Sequence, residues 1–82
     1  MKRRDGGETM EENKSAFVSA LSYALRNYTR LGIGTMEYIS ADRTIGGKEL
    51  VEIRFRNGGI IRVDVTADSC FAIMKDICKA LE

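Results

Sequence analysis

The sequence predicts an α+β fold, a two-layer sandwich ordered helix–three-stranded antiparallel meander–helix (αβββα), with both helices on one face of the sheet. Three observations predict it. Apolar residues recur at spacings of three and four near both ends of the chain. Between them, "LVEIRFR" and "IIRVDV" alternate with period two, and "NGG" joins these two runs as a hairpin turn would.

The first element is "TMEENKSAFVSALSYALRNYTRLG". Thr9 and Glu12 have the spacing of a capping box. Phe17, Ala20, Leu21, Ala24, Leu25, Tyr28 and Leu31 then form one stripe, with Lys14, Ser15, Ser22, Arg26 and Arg30 opposite. Gly32 and Gly34 are expected to stop the helix.

A short strand, "TMEYIS", follows at residues 35–40. Burying Met36 and Tyr38 hides its larger apolar area and leaves Glu37 beside Arg54 and Arg56; the opposite placement brings Tyr38 out among arginines. "ADRTIGGK" reads as a loop bent at Gly46 and Gly47.

The hairpin sets Val51, Ile53 and Phe55 on one face with Ile61, Val63 and Val65. Its other face gathers Glu52, Arg54, Arg56, Arg62 and Asp64. A loop of Asn57–Gly59 pairs Arg54 with Arg62 and Glu52 with Asp64, while a longer loop from Asn57 to Ile61 pairs Arg54 with Asp64. Glycine placement favours the shorter loop, with Gly59 left-handed.

The last element, "TADSCFAIMKDICKALE", is expected to start at Thr66 as N-cap with Asp68 in its first turn. Cys70, Ile73, Met74, Ile77 and Leu81 make its core stripe, and Phe71 and Cys78 widen it. A helix this apolar must be covered on more than one side, by the first helix and sheet or by a partner chain.

At 82 residues, 44% apolar and 30% charged, the chain is sized for one soluble domain, placed at residues 10–82. Residues 1–9, "MKRRDGGET", read as a flexible basic tail, and Met10 is a candidate start. The net charge of +1 is spread evenly, which argues against a dedicated duplex-binding domain. The chain lacks an apolar run long enough to span a membrane and an apolar stretch behind its first basic residues, so no membrane or secretory role is expected. Cys70 and Cys78 lie eight apart in one helix, too far for a mutual disulfide. They are expected to be reduced core residues of a cytoplasmic protein.

No catalytic residue, cofactor site or metal site is expected. Histidine is absent, and so are a nucleophile elbow, a phosphate loop and zinc-ligand spacing. The element order is similar to that of double-stranded RNA-binding domains over most of the chain. The resemblance lies in order alone: those domains open their last helix with phosphate-gripping lysines, whereas this one opens "TADSC".

The sequence thus points to a small interaction or assembly module, binding a protein partner or itself as a homodimer through the edge strand at 60–65 or the last helix. The alternative is a nucleic-acid-binding domain using the arginine face. The candidate interaction surface is Arg54, Arg56, Ile60 and Arg62 on the hairpin with Phe71 and Cys78 on the last helix.

Overall fold

The computed structural model describes residues 10–82, with side chains from Asn13 onward. The basic tail expected at 1–9 lies outside them, as do Thr9 of the expected capping pair and the side chain of its partner Glu12. The elements are α1 (Met10–Leu25), β1 (Ile33–Ile39), β2 (Leu50–Phe55), β3 (Ile60–Asp64) and α2 (Cys70–Ala80). The strands form an antiparallel sheet in the order β1-β2-β3. This is the expected α+β architecture. One apolar cluster joins its layers: Val18 of α1, Ile73 and Ile77 of α2, and Ile33, Met36, Tyr38, Val51, Ile53 and Val65 from the sheet.

The helix α1 is rotated about its axis relative to the expected stripe. Lys14, Val18 and Ser22, spaced four apart, point into the protein, while Ala20 and Ala24 are exposed and Tyr28 is 63% exposed. Phe17, Leu21 and Leu25 flank the buried line, half-covered. The rotation follows from two polar partners that hydrophobic spacing does not register. Lys14 ion-pairs with Glu49 at 2.8 Å, and the Met36 N–H donates to Ser22 Oγ at 3.0 Å.

The end of α1 also differs. Its last bonds tighten to three-residue spacing, with the Tyr28 N–H donating to the Leu25 carbonyl at 3.0 Å. Gly32, left-handed at φ 67°, closes the short 3-10 turn Thr29–Leu31 that follows. Gly34 stops no helix; it lies inside β1, where a Cβ would sit 3.2 Å from the Arg54 carbonyl oxygen. The strand register slips between Ile33 and Thr35, so Ile33 and Met36, three apart, both face inward.

Neither expected hairpin register occurs. The Gly58 N–H donates to the Phe55 carbonyl at 3.0 Å and the Phe55 N–H to the Gly59 carbonyl at 2.8 Å, so the loop is Arg56–Gly58. Gly58, not Gly59, takes the left-handed position at φ 96°. The loop is of the expected bulged type, one residue earlier. Glu52 therefore faces Arg62, and Arg54 faces Ile60, which removes the like-charge oppositions of the shorter expected register.

The helix α2 starts later than expected. Ser69, not Thr66, is its N-cap and accepts from the Ala72 N–H at 3.2 Å. Thr66 Oγ1 instead accepts the Glu49 N–H at 3.0 Å, and Asp68 precedes the helix. Ala67, left-handed at φ 63°, turns the chain back over the sheet. Both cysteines are free, but neither is a core residue: Cys70 is half-buried and Cys78 exposed. Among the described residues, no helix is long and apolar enough to cross a membrane.

Candidate interaction surface

Three features distinguish the two sides of this sheet. The first is its open face. Glu52, on the central strand, is only 6% exposed because two arginines fold over it. Arg54 Nε donates to Glu52 Oε2 at 2.7 Å and Arg62 Nε to Oε1 at 3.0 Å. Arg54's hydrogen bond is the main reason the Glu52 carboxyl titrates below the ordinary range. Glu37 lies opposite Glu52 rather than beside Arg54 and Arg56, and pairs with Arg43 at 3.2 Å. Arg56 leaves this face altogether; its Nη2 donates to the Arg26 carbonyl at 3.0 Å, near the end of α1, where a cation is favoured. Each charge on the face is answered locally.

The second feature is a buried polar hub. Glu49 Oε2 accepts from Lys14 Nζ and from the Tyr38 hydroxyl, while Oε1 accepts the Ala67 N–H at 2.7 Å. Burial pushes this carboxyl up, but the bonds from Lys14, Tyr38 and Ala67 outweigh it and hold it below the usual range. Beside the hub, a hydrogen bond to Asp76, then burial and the Asp76 charge, raise Asp68 to about 6. Among the described residues, no donor is placed on the buried Asp68 Oδ2, which leaves the neighbouring Asp76 carboxyl to share its proton.

This arrangement has a pH consequence. Because Asp68 holds its proton more tightly when folded, its contribution is complete below the unfolded value and is lost as pH rises through about 6. Glu49 acts oppositely, but only below the ordinary carboxylate range. Tm should therefore rise as pH is lowered from about 7.5 to about 5, and Asp68→Asn should flatten that rise. An unchanged slope in the variant would contradict the assignment.

The third feature is β3 itself. The Val65 N–H donates to the Glu49 carbonyl at 2.9 Å, which with the Phe55–Gly59 bond fixes the phase of the β2–β3 ladder. Residues 61 and 63 therefore turn their backbone groups toward β2, and Ile60, Arg62 and Asp64 turn theirs outward. The other edge is treated differently. By the same phase the backbone groups of Met36 point away from β2, and its N–H is the one that Ser22 takes. Thus α1 attends to the β1 edge, and among the described residues β3 has no such cover.

Side chains repeat the asymmetry. On the inner face Val51 and Ile53 of β2 are fully buried, but Ile61 and Val63 of β3 are only half-buried. Above them lies α2, whose Asp76 carboxyl sits beside Asp68. By the helical period, Phe71, Met74 and Cys78 share the flank of α2 opposite Asp76, on a helix that packs against β3. Phe71 is 66% exposed and Cys78 is exposed.

Of the expected surface residues, Phe71 and Cys78 lie together on this flank. Ile60, 47% exposed, begins the edge on the opposite sheet face with Arg54 and Arg62. Arg56 stands apart. Sequence reading missed Ile61, Val63 and Met74 as surface, because alternation assigns them to the core and cannot report how far the helical layer extends. No family model, curated protein or solved structure matches this chain.

Proposed function

We propose that this chain is a small non-enzymatic assembly module that associates with another chain through the β3 edge and the adjoining flank of α2. One observation carries the reading: outward backbone groups at Ile60, Arg62 and Asp64 lie on a strand whose inward Ile61 and Val63 are only half-buried, under a helix that leaves Phe71 exposed. An edge of this kind pairs with a strand unless something blocks it. Proline is absent from the chain, β3 runs straight without a bulge, and its charges are mutually compensating. Two free thiols fit a reducing compartment such as the cytoplasm.

Nucleic-acid binding is the second reading, favoured by the solvent-facing guanidinium ends of Arg54 and Arg62, about three-fifths exposed. It has weaker support. Tyr38 is buried, which removes the stacking aromatic, and Glu37, Glu52 and Asp64 share the face.

Amide hydrogen exchange tests the leading reading. In a monomer the Ile61 and Val63 amides, bonded to β2, exchange slowly, and those of Arg62 and Asp64 exchange fast. On association the Arg62 and Asp64 amides become protected as protein concentration rises. Fast exchange at these two positions at every concentration would refute edge pairing.

A further inference from the structure

Given β3 as an assembly edge, we propose that its partner is a second copy of the same chain, paired antiparallel about a two-fold axis through Val63. The proposal rests on that reading and specifies its geometry. Two copies that keep their helical layers on one side, and offer outward backbone groups to each other, have few registers available. Centring the axis on Arg62 sets Arg62 against itself, and centring it on Asp64 does the same to two carboxylates. Centring it on Ile61 leaves Asp64 beyond the ladder and places Arg62 opposite Ile60. The Val63 register is the one that satisfies the charges. It puts Arg62 opposite Asp64 of the second copy twice over, each such pair exchanging N–H and C=O bonds.

The side chains have the capacity for this. Arg62 binds Glu52 through Nε, which leaves its Nη nitrogens for an outside acceptor. Asp64 Oδ1 accepts from the Thr66 N–H at 2.9 Å and the Thr66 hydroxyl at 2.7 Å, which leaves Oδ2 for an outside donor. These Thr66 bonds, the hydroxyl's first, hold the Asp64 carboxyl below its ordinary value. On the inner face Val63 meets its own counterpart and Ile61 meets Val65. The axis stands normal to the sheet, so both α2 helices lie on one side, antiparallel. Their Phe71–Met74–Cys78 flanks then face each other and cover the strip that the single chain leaves open. The result is a continuous six-stranded sheet with closed two-fold symmetry, a count that doubles the three strands of one copy.

Cysteine cross-linking reads the register. In a background carrying Cys70→Ala and Cys78→Ser, Val63→Cys should form an intermolecular disulfide under mild oxidation and Arg62→Cys should not. Preferential cross-linking of Arg62→Cys would overturn this register while leaving edge pairing intact. If the protein is dimeric by light scattering but neither variant cross-links, the Val63 register fails, and Ile61→Cys and Asp64→Cys then decide whether another edge register holds; a monomer overturns both the register and edge pairing. Asp64→Asn supplies a second readout, because its amide oxygen still accepts from Thr66. Losing two exposed ion pairs should weaken dimerisation by roughly twofold to thirtyfold and reduce its salt dependence. An unchanged dimer with unchanged salt dependence would contradict the Arg62–Asp64 pairing.

Discussion

Replacing Glu49 with alanine is expected to destabilise the fold by roughly 3–5 kcal/mol, the range for stranding one partner of a buried ion pair. The side chains of Lys14 and Glu49 are 7% and 11% exposed, so water cannot take over the ammonium once the carboxylate is gone. The same substitution frees the Tyr38 hydroxyl from this carboxylate and removes the acceptor for Ala67, whose left-handed backbone depends on local support. Glu49 thus ties α1, β1 and the β3–α2 turn to the start of β2. A small domain has only about 5–15 kcal/mol of stability in total, so much of the protein should be unfolded at mild urea concentrations. Urea titration measures this directly. Glu49→Gln should cost less, since an amide oxygen still accepts bonds, and adding Lys14→Met to it should recover part of the loss. A Glu49→Ala midpoint equal to wild type would mean that the hub contributes nothing to the fold.

The second large effect concerns two isoleucines directly opposite each other on the inner face. Ile53, on the central strand, is completely buried, whereas Ile61 on β3 is half-buried. Ile53→Ala should cost about 2–5 kcal/mol, from lost transfer energy and the cavity left behind. Ile61→Ala should cost far less in dilute protein, because solvent already reaches its side chain and the site needs no cavity. At high concentration the gap should narrow, since a second chain over β3 buries what one chain leaves half-covered. Denaturant titrations at two protein concentrations separate these cases. Equal, concentration-independent costs at both positions would show that β3 is as well covered as β2.

The element order and inward faces were legible in the sequence because they rest on periodicity. Val51, Ile53, Ile73 and Ile77 are buried as their spacing implies. Reading failed where one polar contact outweighs several apolar ones. Lys14 and Ser22 look like solvent-facing residues on a helical wheel, yet each has a specific partner beyond the helix, Glu49 just before β2 and Met36 in β1. The clue was their spacing with Val18, which is read only when polar residues are allowed inside. The turn posed a different problem. Gly58 and Gly59 are both able to adopt a left-handed backbone, so composition leaves the register open to a one-residue shift of the loop. The observed choice is the one that sets Glu52 against Arg62.

The same distinction governs the candidate surface. Phe71 and Cys78 were recognisable because a helix so widely apolar needs more cover than one neighbour gives. Ile61 and Val63 were not, since alternation records direction and not depth. That α1 sits over the β1 edge, leaving β3 open, depends on Ser22 and Lys14 and so on contacts between distant residues.

Light scattering of the intact chain beside its Phe71→Glu variant tests the assembly claim most directly. Phe71 is 66% exposed, so the charge should leave the folded monomer intact. The account predicts that wild type moves toward twice the chain mass as concentration rises through the micromolar range, while the variant stays at the mass of one chain. A wild type that remains monomeric throughout, or a variant that associates equally well, would contradict it.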